Sequence, residues 1–498
     1  MKFCAGQSLA EGVERQLTPD NTSLRGIYES QTIRPIRVGK NNAGSADDLR
    51  ESRRIEKLRE RDSDLSGQFK LAHRALVLVS RGASERDAVQ RAAASDPRLT
   101  SVKREALALV LGTVNEQDLL DIHLQNALPE EKMGISARCL FRLATYALLR
   151  LGAKKHVSRI EHNLRVIAAI ELLPRLEFFL GSLPAFDPTQ PLSGLQDSER
   201  VALETHHPAW WVRYCFRMLG RGDAIALLSA QPRPRYLRVN PLKNRGRITL
   251  PKEAVFLAEK LTKVPSIPGV YIIGGSLSAF AGFFSSGMFQ MQDLASYLAI
   301  RAGDPMPEEK VLDLCAAPGA KSAAIAQMMK NRGKIVSIDY SPGRMKGWRR
   351  EIERLGVKIA DPVIGDASRL GLQESFDLVV IDPPCTGTGV FDRNPRMKWH
   401  LSPQSVDRYS ILQRRFLESA VSLIGEDGRI LYCTCSLTVE ENEQVISAFL
   451  KAHSEFETRP ILEQYGAPGL MGLADCRRFY PHRDRTAGYF IARMQRTN

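Results

Sequence analysis

The period of the apolar positions changes along the chain. Residues 1–64 show little apolar periodicity and end in DDLRESRRIEKLRERDSDL, where acids and bases alternate, predicting a flexible tail that runs into a solvated helix. From 65 to 180, LAHRALVLVSRG, VKREALALVLGTVNEQDLLDIHL, ISARCLFRLATYALLRLG and VSRIEHNLRVIAAIELL place Leu, Ile, Val and Ala three and four residues apart. Gly and Pro punctuate these runs, so a compact all-helical domain is expected. Residues 181–200, GSLPAFDPTQPLSGLQDSER, read as a linker. From 301 to 498, short apolar runs (KVLDLC, GKIVSID, FDLVVID, GRILYCT) alternate with amphipathic stretches such as PGRMKGWRREIERLG. This alternation predicts parallel crossover units and an open, doubly wound α/β sheet, whose ligands bind at the carboxyl ends of the strands.

Composition narrows the class. The chain has 498 residues, 43% of them hydrophobic and 25% charged, enough to bury sizeable cores in two to four domains. Its formal charge of +14 suits a polyanionic partner but specifies no reaction. The longest apolar runs fall well short of the roughly 18 to 20 residues of a membrane span, and the N-terminus lacks the apolar stretch of a signal peptide. A cytoplasmic protein with no membrane association is therefore expected, its cysteines reduced. The eight cysteines include no CxxC pair, so neither a disulfide framework nor a zinc site is encoded, and lone His400 and His482 have no ligand partners at metal-binding spacing. No metal is expected.

The first strand of the α/β region leads into Cys315-Ala316-Ala317-Pro318-Gly319-Ala320-Lys321-Ser322, then a helix. Small residues let backbone approach a ligand, and the amides of a helix start favour a polar group. The loop is neither GxGxxG nor GxxxxGK[ST], which disfavours a P-loop NTPase. The second strand ends at Asp339, where an acid can bind both ribose hydroxyls, and Asp366 follows the next strand, within expected reach of an adenine edge. With Asp313 at the end of the first strand these make three acids in register; each alone suits a turn or cap, and together they point to a nucleoside cofactor. Ser322 is expected to cap the helix, and Ala320 to be strained if its φ is positive.

The fourth strand runs into Asp382-Pro383-Pro384-Cys385-Thr386-Gly387-Thr388-Gly389 and the fifth into Tyr432-Cys433-Thr434-Cys435-Ser436. Neighbouring strand ends would converge two thiols and a carboxylate on one pocket. A thiolate suits addition to an electron-poor conjugated carbon. Cys433 faces the same side as Cys435 and is expected to serve in packing.

DLCAAPGAKS, DPPCTGTG, TCS followed by ENE, and PHRDRTAGYFIARM together resemble the Sun/RsmB family of S-adenosylmethionine-dependent RNA cytosine-C5 methyltransferases. YLRVNPLK (236–243) and MQDLAS (291–296) extend the likeness upstream, and residues 65–180 are similar to the family's NusB-like RNA-binding domain. The resemblance implies a Rossmann-like class I methyltransferase domain over 301–498 with a mostly parallel seven-stranded sheet. A small α+β RNA-binding subdomain over 201–300 and the all-α domain would precede it. It implies Cys435 as the nucleophile on carbon 6 of cytosine, Cys385 for product release, Asp382 on the base, and Lys321 as electrostatic support. S-adenosylmethionine would contact the Cys315 to Lys321 loop, Asp339, Asp366 and Asp382.

An unpaired or flipped-out cytosine is required. Arg238, Asn240 and Lys243, with Arg233, Arg235, Arg245 and Arg247 around a stacking Tyr236, are expected to bind RNA. So are Arg393, Arg396 and Lys398, with Trp399, after DPPC. The expected activity is methylation of ribosomal RNA by a monomer. Alternatives are a transfer RNA substrate and a catalytically silent assembly factor. A DNA enzyme would attack through Cys385, and the additional TCS motif speaks against that.

Overall fold

The computed structural model describes residues 66–128, 133–151, 157–182, 194–368 and 374–497. The tail expected over 1–64 and most of the linker expected over 181–200 lie outside them. The chain divides into two compact units. Of the described residues, one comprises those from 66 to Arg217 together with Asn394–Trp399, the other Met218–Arg393 and His400–Thr497.

The first unit is helical. Helices include 66–80, Glu85–Ala94, Lys103–Asn115, Gln117–Ala127, Ile135–Leu151, Val157–Ile167, Leu173–Ser182 and Asp197–Thr205. Ser84 caps the second of these by accepting from the Asp87 amide. Their apolar stripes close one core around Phe69, Leu140, Phe141, Leu164 and Phe179, each fully buried. Helices Lys103–Asn115 and Ile135–Leu151 cross closely enough that a Cβ on Gly112 would meet the Tyr146 hydroxyl.

The second unit carries two sheets. Strands β1 (Arg235–Val239), β2 (Leu261–Lys263), β3 (Val270–Ile273) and β4 (Phe289–Met291) form an antiparallel sheet in the order β2-β3-β1-β4. The larger sheet contains β5 (Lys310–Leu314), β6 (Lys334–Asp339), β7 (Ala360–Ile364), β8 (Phe376–Ile381) and β9 (Ile424–Thr434). It continues through β10 (Phe456–Thr458), β11 (Ala467–Pro468), β12 (Arg477–Phe479) and β13 (Tyr489–Arg496). Its order is β11-β12-β13-β9-β8-β5-β6-β7, with β10 on β13.

The α/β fold and its parallel centre follow the sequence reading, whereas the seven-stranded, mostly parallel sheet needs correction. Among the described residues this sheet has nine strands; β7-β6-β5-β8-β9 run parallel and the remaining pairings are antiparallel. Strands β10 to β12 hold three residues or fewer, too short for an alternating pattern to register.

Helices Leu294–Gly303, Ala320–Met328 and Pro342–Leu355 cover one face, and Pro403–Val421 and Glu443–Ala452 the other. Buried on both faces, β5 and β8 are nearly continuous apolar runs. The chain leaves β5 toward β6 and β7, then returns to the other side of β5 with β8, placing the switch in strand order between β5 and β8. Among the described residues, no helix is long and apolar enough to cross a membrane.

Candidate active site

At that switch the loop after β5 turns sharply. Positive φ falls at Cys315 (65°) and Gly319 (109°), and the Ala317–Pro318 peptide is cis. A Cβ on Gly319 would sit 3.2 Å from the Trp348 ring, so glycine serves both the turn and the packing. Ala320 opens helix Ala320–Met328 and escapes the strain considered for it. Ser322 does not cap that helix: its Oγ donates to Asp313 Oδ2 at 2.5 Å and accepts from Trp348 Nε1 at 2.9 Å. Asp313 lies in β5, just before this loop. It is fully buried, its Oδ1 accepts no hydrogen bond, and burial pushes its carboxyl up to about 7.

Asp339 ends β6 with its side chain fully enclosed. Its Oδ1 accepts from Ser341 N at 3.0 Å, while Oδ2 accepts from Ala317 N at 3.3 Å and pairs with Arg344 at 3.1 Å. Burial raises its pKa against the pull of Arg344. Asp366 is exposed, with Oδ1 accepting the Ser368 amide and hydroxyl.

Four chemically capable side chains meet at the ends of β5, β8 and β9. Cys385 Sγ and Cys435 Sγ lie 3.3 Å apart. Lys321 Nζ donates to Asp382 Oδ2 at 2.5 Å, while the Tyr489 hydroxyl, from β13, donates to Asp382 Oδ1 at 3.4 Å. Burial works against the Lys321 ammonium, but the Asp382 carboxylate outweighs it and holds the lysine pKa above its ordinary value. The hydrogen bond to Cys435, with burial and the Glu441 and Asp382 carboxylates, holds the Cys385 thiol well up. Cys433 is fully buried, its Sγ donating to Asp382 Oδ1 at 3.8 Å and accepting from the Tyr489 hydroxyl at 3.6 Å.

Glu441, in the ENE run, is the residue to which the sequence reading gave no role. Its buried carboxylate accepts from Thr386, Ser436, Thr438 and Gln413, tying the DPPC loop to the TCS loop. Only the clustering of small hydroxyl residues in TGT and TCSLT hinted at such an acceptor.

Several expected RNA contacts are corrected. Arg238 is buried, donating to Gln327 at 2.9 Å and Gln290 at 2.7 Å and lying over the Tyr297 ring. Asn240 is fully buried, donating to the Gly287 and Leu355 carbonyls. Arg233 is spent on Asp392 and Asp293, and Tyr236 is buried with its hydroxyl on the Arg485 carbonyl. Lys398 and Trp399 pack within the helical unit, on Asn115 Oδ1 and the Val114 carbonyl respectively, and burial lowers Lys398 to about 8. Arg393 is half-buried, donating to the Pro234 carbonyl, and Arg396 is half-buried in the helical unit. Lys243, Arg245 and Arg247 are exposed.

Residues 301–495 match the family model described as 16S rRNA methyltransferase RsmB/F. Among curated proteins, the chain is 33% identical over 322 residues to a Bacillus subtilis protein named "Probable ribosomal RNA small subunit methyltransferase B", covering 63% of this chain and 70% of that one. It is 34% identical over 214 residues to a tRNA (cytosine(72)-C(5))-methyltransferase of Pyrococcus horikoshii, covering 43% and 54%. The crystal structure of PH0851 superposes with a TM-score of 0.74 at 27% identity, covering 86% of this chain and 99% of that one.

Proposed function

We propose, since the chain belongs to the RsmB/F family of 16S rRNA methyltransferases, that it methylates carbon 5 of a cytosine in ribosomal RNA, using S-adenosylmethionine. The observation that carries this reading is the 3.3 Å approach of Cys385 and Cys435 beside the Lys321–Asp382 pair.

The residues at the switch point fit the methyl donor. Gly319 presents backbone without a Cβ, Asp366 offers an exposed carboxylate, and Asp313 Oδ1 is a buried acceptor lacking a donor. The loop from Cys315 through Ala316, Ala317, Pro318, Gly319 and Ala320 to Lys321 would hold it, with Asp339, Asp366 and Asp382. When bound, S-adenosylmethionine supplies an electrophilic methyl group.

Carbon 5 of cytosine is too weak a nucleophile unaided. The Cys435 thiolate adds to carbon 6, which moves electron density onto carbon 5. Asp382, steadied by Lys321 and Tyr489, holds a proton at N3 and engages the amino group as charge develops there. After methylation Cys385 removes the carbon-5 proton, and the Cys435–carbon-6 bond breaks to release the base. The target must be extruded or unpaired. Lys243 is the exposed member of the upstream signature and contacts phosphate. The protein works with ribosomal RNA in the cytoplasm.

The test is to incubate wild type, Cys435→Ala and Cys385→Ala with labelled S-adenosylmethionine and total RNA, then run denaturing gels. Cys435→Ala should transfer no label, and Cys385→Ala should accumulate a covalent protein–RNA adduct. An adduct in Cys435→Ala would reverse the two roles, and no label in wild type would remove the reading. Sequencing the labelled RNA separates ribosomal from transfer RNA.

A further inference from the structure

Cys385 and Cys435 follow different strands, yet their sulfurs lie 3.3 Å apart. The contact is built from the backbone outward. The next residue after each, Thr386 and Ser436, share a hydroxyl contact at 3.1 Å, and both donate to Glu441. The Gly389 amide donates to the Cys435 carbonyl at 2.9 Å, and Gln413 Nε2 joins the Pro384 carbonyl to Glu441 with two bonds of 3.0 Å. Each cysteine is thereby held beside the other by its neighbours. A disulfide places its sulfurs about 2 Å apart, so only about 1 Å of further approach is needed.

Exposure separates the two sulfurs. Cys385 is buried, with 4% of its surface exposed, whereas Cys435 is half-buried. An oxidant arriving from solvent meets Cys435 first. A sulfenic acid formed there has a second thiol already in contact, and condensation with such a thiol is the reversible branch of cysteine oxidation.

We propose that Cys385 and Cys435 form a reversible redox switch, in which a hydroperoxide oxidises Cys435 and Cys385 closes a disulfide onto it. The hydroperoxide transfers one oxygen to the Cys435 sulfur and leaves as an alcohol, or as water when it is hydrogen peroxide. The Cys385 sulfur then attacks the Cys435 sulfur; the S–S bond forms as the S–O bond breaks, and the hydroxyl departs as water with the Cys385 proton. The two electrons given up by the thiols are the pair gained as the O–O bond of the peroxide is cleaved. A dithiol reductant restores both thiols and is itself oxidised to a disulfide. That the switch silences methylation rests on the reading above, in which Cys435 attacks carbon 6 and Cys385 releases the product. One bond takes both sulfurs, and it also keeps Cys435 from irreversible oxidation to the sulfinic acid.

The test treats the full chain with graded hydrogen peroxide, blocks the remaining thiols with N-ethylmaleimide and maps non-reduced peptides by mass spectrometry. Wild type should yield a peptide pair joined through Cys385 and Cys435, lighter by both thiol hydrogens, and dithiothreitol should separate it. Label transfer to RNA should fall in proportion to the joined fraction and return with dithiothreitol. Cys385→Ser should give no joined pair and instead accumulate Cys435 sulfinic and sulfonic acids that dithiothreitol does not reverse. The proposal is overturned if wild-type Cys435 is oxidised without joining Cys385, if it joins Cys433 or Cys315 instead, or if the joined protein still transfers label. Failure of the methyltransferase reading would appear differently, as unlabelled RNA with fully reduced wild type, because the joined pair is read without catalysis.

Discussion

Lys321 Nζ donates to Asp382 Oδ2 at 2.5 Å, joining the helix after β5 to the strand end of β8 across the switch in strand order. The pair is enclosed, with 12% of the lysine side chain and 29% of the aspartate exposed, so the carboxylate still faces the pocket. Lys321→Met keeps the length of the stem and removes the charge. Asp382 then loses the partner that fixes its geometry, and the rate of methyl transfer should fall about 10²-fold, the scale of losing one preorganised electrostatic contact. Single-turnover label transfer at saturating RNA measures it.

Asp313 predicts a pH dependence of stability. Burial pushes its carboxyl from an ordinary 3.8 up to about 7, so between those values the folded chain holds a proton that the unfolded chain has released. Stability from this group is therefore greatest at low pH and is lost as pH rises through 7. Asp313→Asn does not titrate. Urea unfolding at pH 5 and pH 8 should show wild type losing roughly 3 kcal/mol more than the variant over that interval.

The central sheet was legible because β5, β6, β8 and β9 are buried apolar runs spaced by amphipathic helices, a pattern set by the local period. Cys385, Cys435 and Asp382 were legible because strand ends in such a sheet share one edge. Burial of a polar side chain carries no such local signal. Arg238 and Asn240 read as surface groups, yet Gln290, Gln327 and two carbonyls from distant segments absorb their donors. Glu441 was hidden for the same reason: its donors come from residues 386, 413, 436 and 438, and only folding brings them together.

Arg238 and Lys243 should accordingly behave differently when each is replaced by alanine. Lys243 is exposed, and removing its proposed phosphate contact should lower the slope of log affinity against log salt by about 1 while leaving stability nearly unchanged. Arg238→Ala leaves Gln327 Oε1 without its donor inside the protein and Gln290 Oε1 with only the 3.4 Å donation from Gln327 Nε2. It should cost about 2–4 kcal/mol and lower Tm, with no change in the salt slope of the folded fraction. Filter binding across a salt series, beside thermal unfolding, separates the two behaviours.

Gly389 tests how tightly the reactive loops are joined. Its amide donates to the Cys435 carbonyl at 2.9 Å, and its own carbonyl accepts from the Gly488 amide at 2.9 Å, so one residue links the DPPC loop to the TCS segment and to the start of β13. A Cβ built there would collide with the Gly488 carbonyl oxygen, a backbone atom that no side-chain rotation can move away. Gly389→Ala must push these segments apart. Displacing Cys435 from Cys385 by even an ångström should cut the methylation rate at least about 10²-fold. Gly347→Ala is the matched control: it lies in helix Pro342–Leu355 with nothing within 4 Å of the added methyl, and should stabilise the fold by about 0.5–1 kcal/mol with activity retained. Thermal unfolding and label transfer on both variants check the contrast, and a fully active Gly389→Ala would show that the loops do not need this contact.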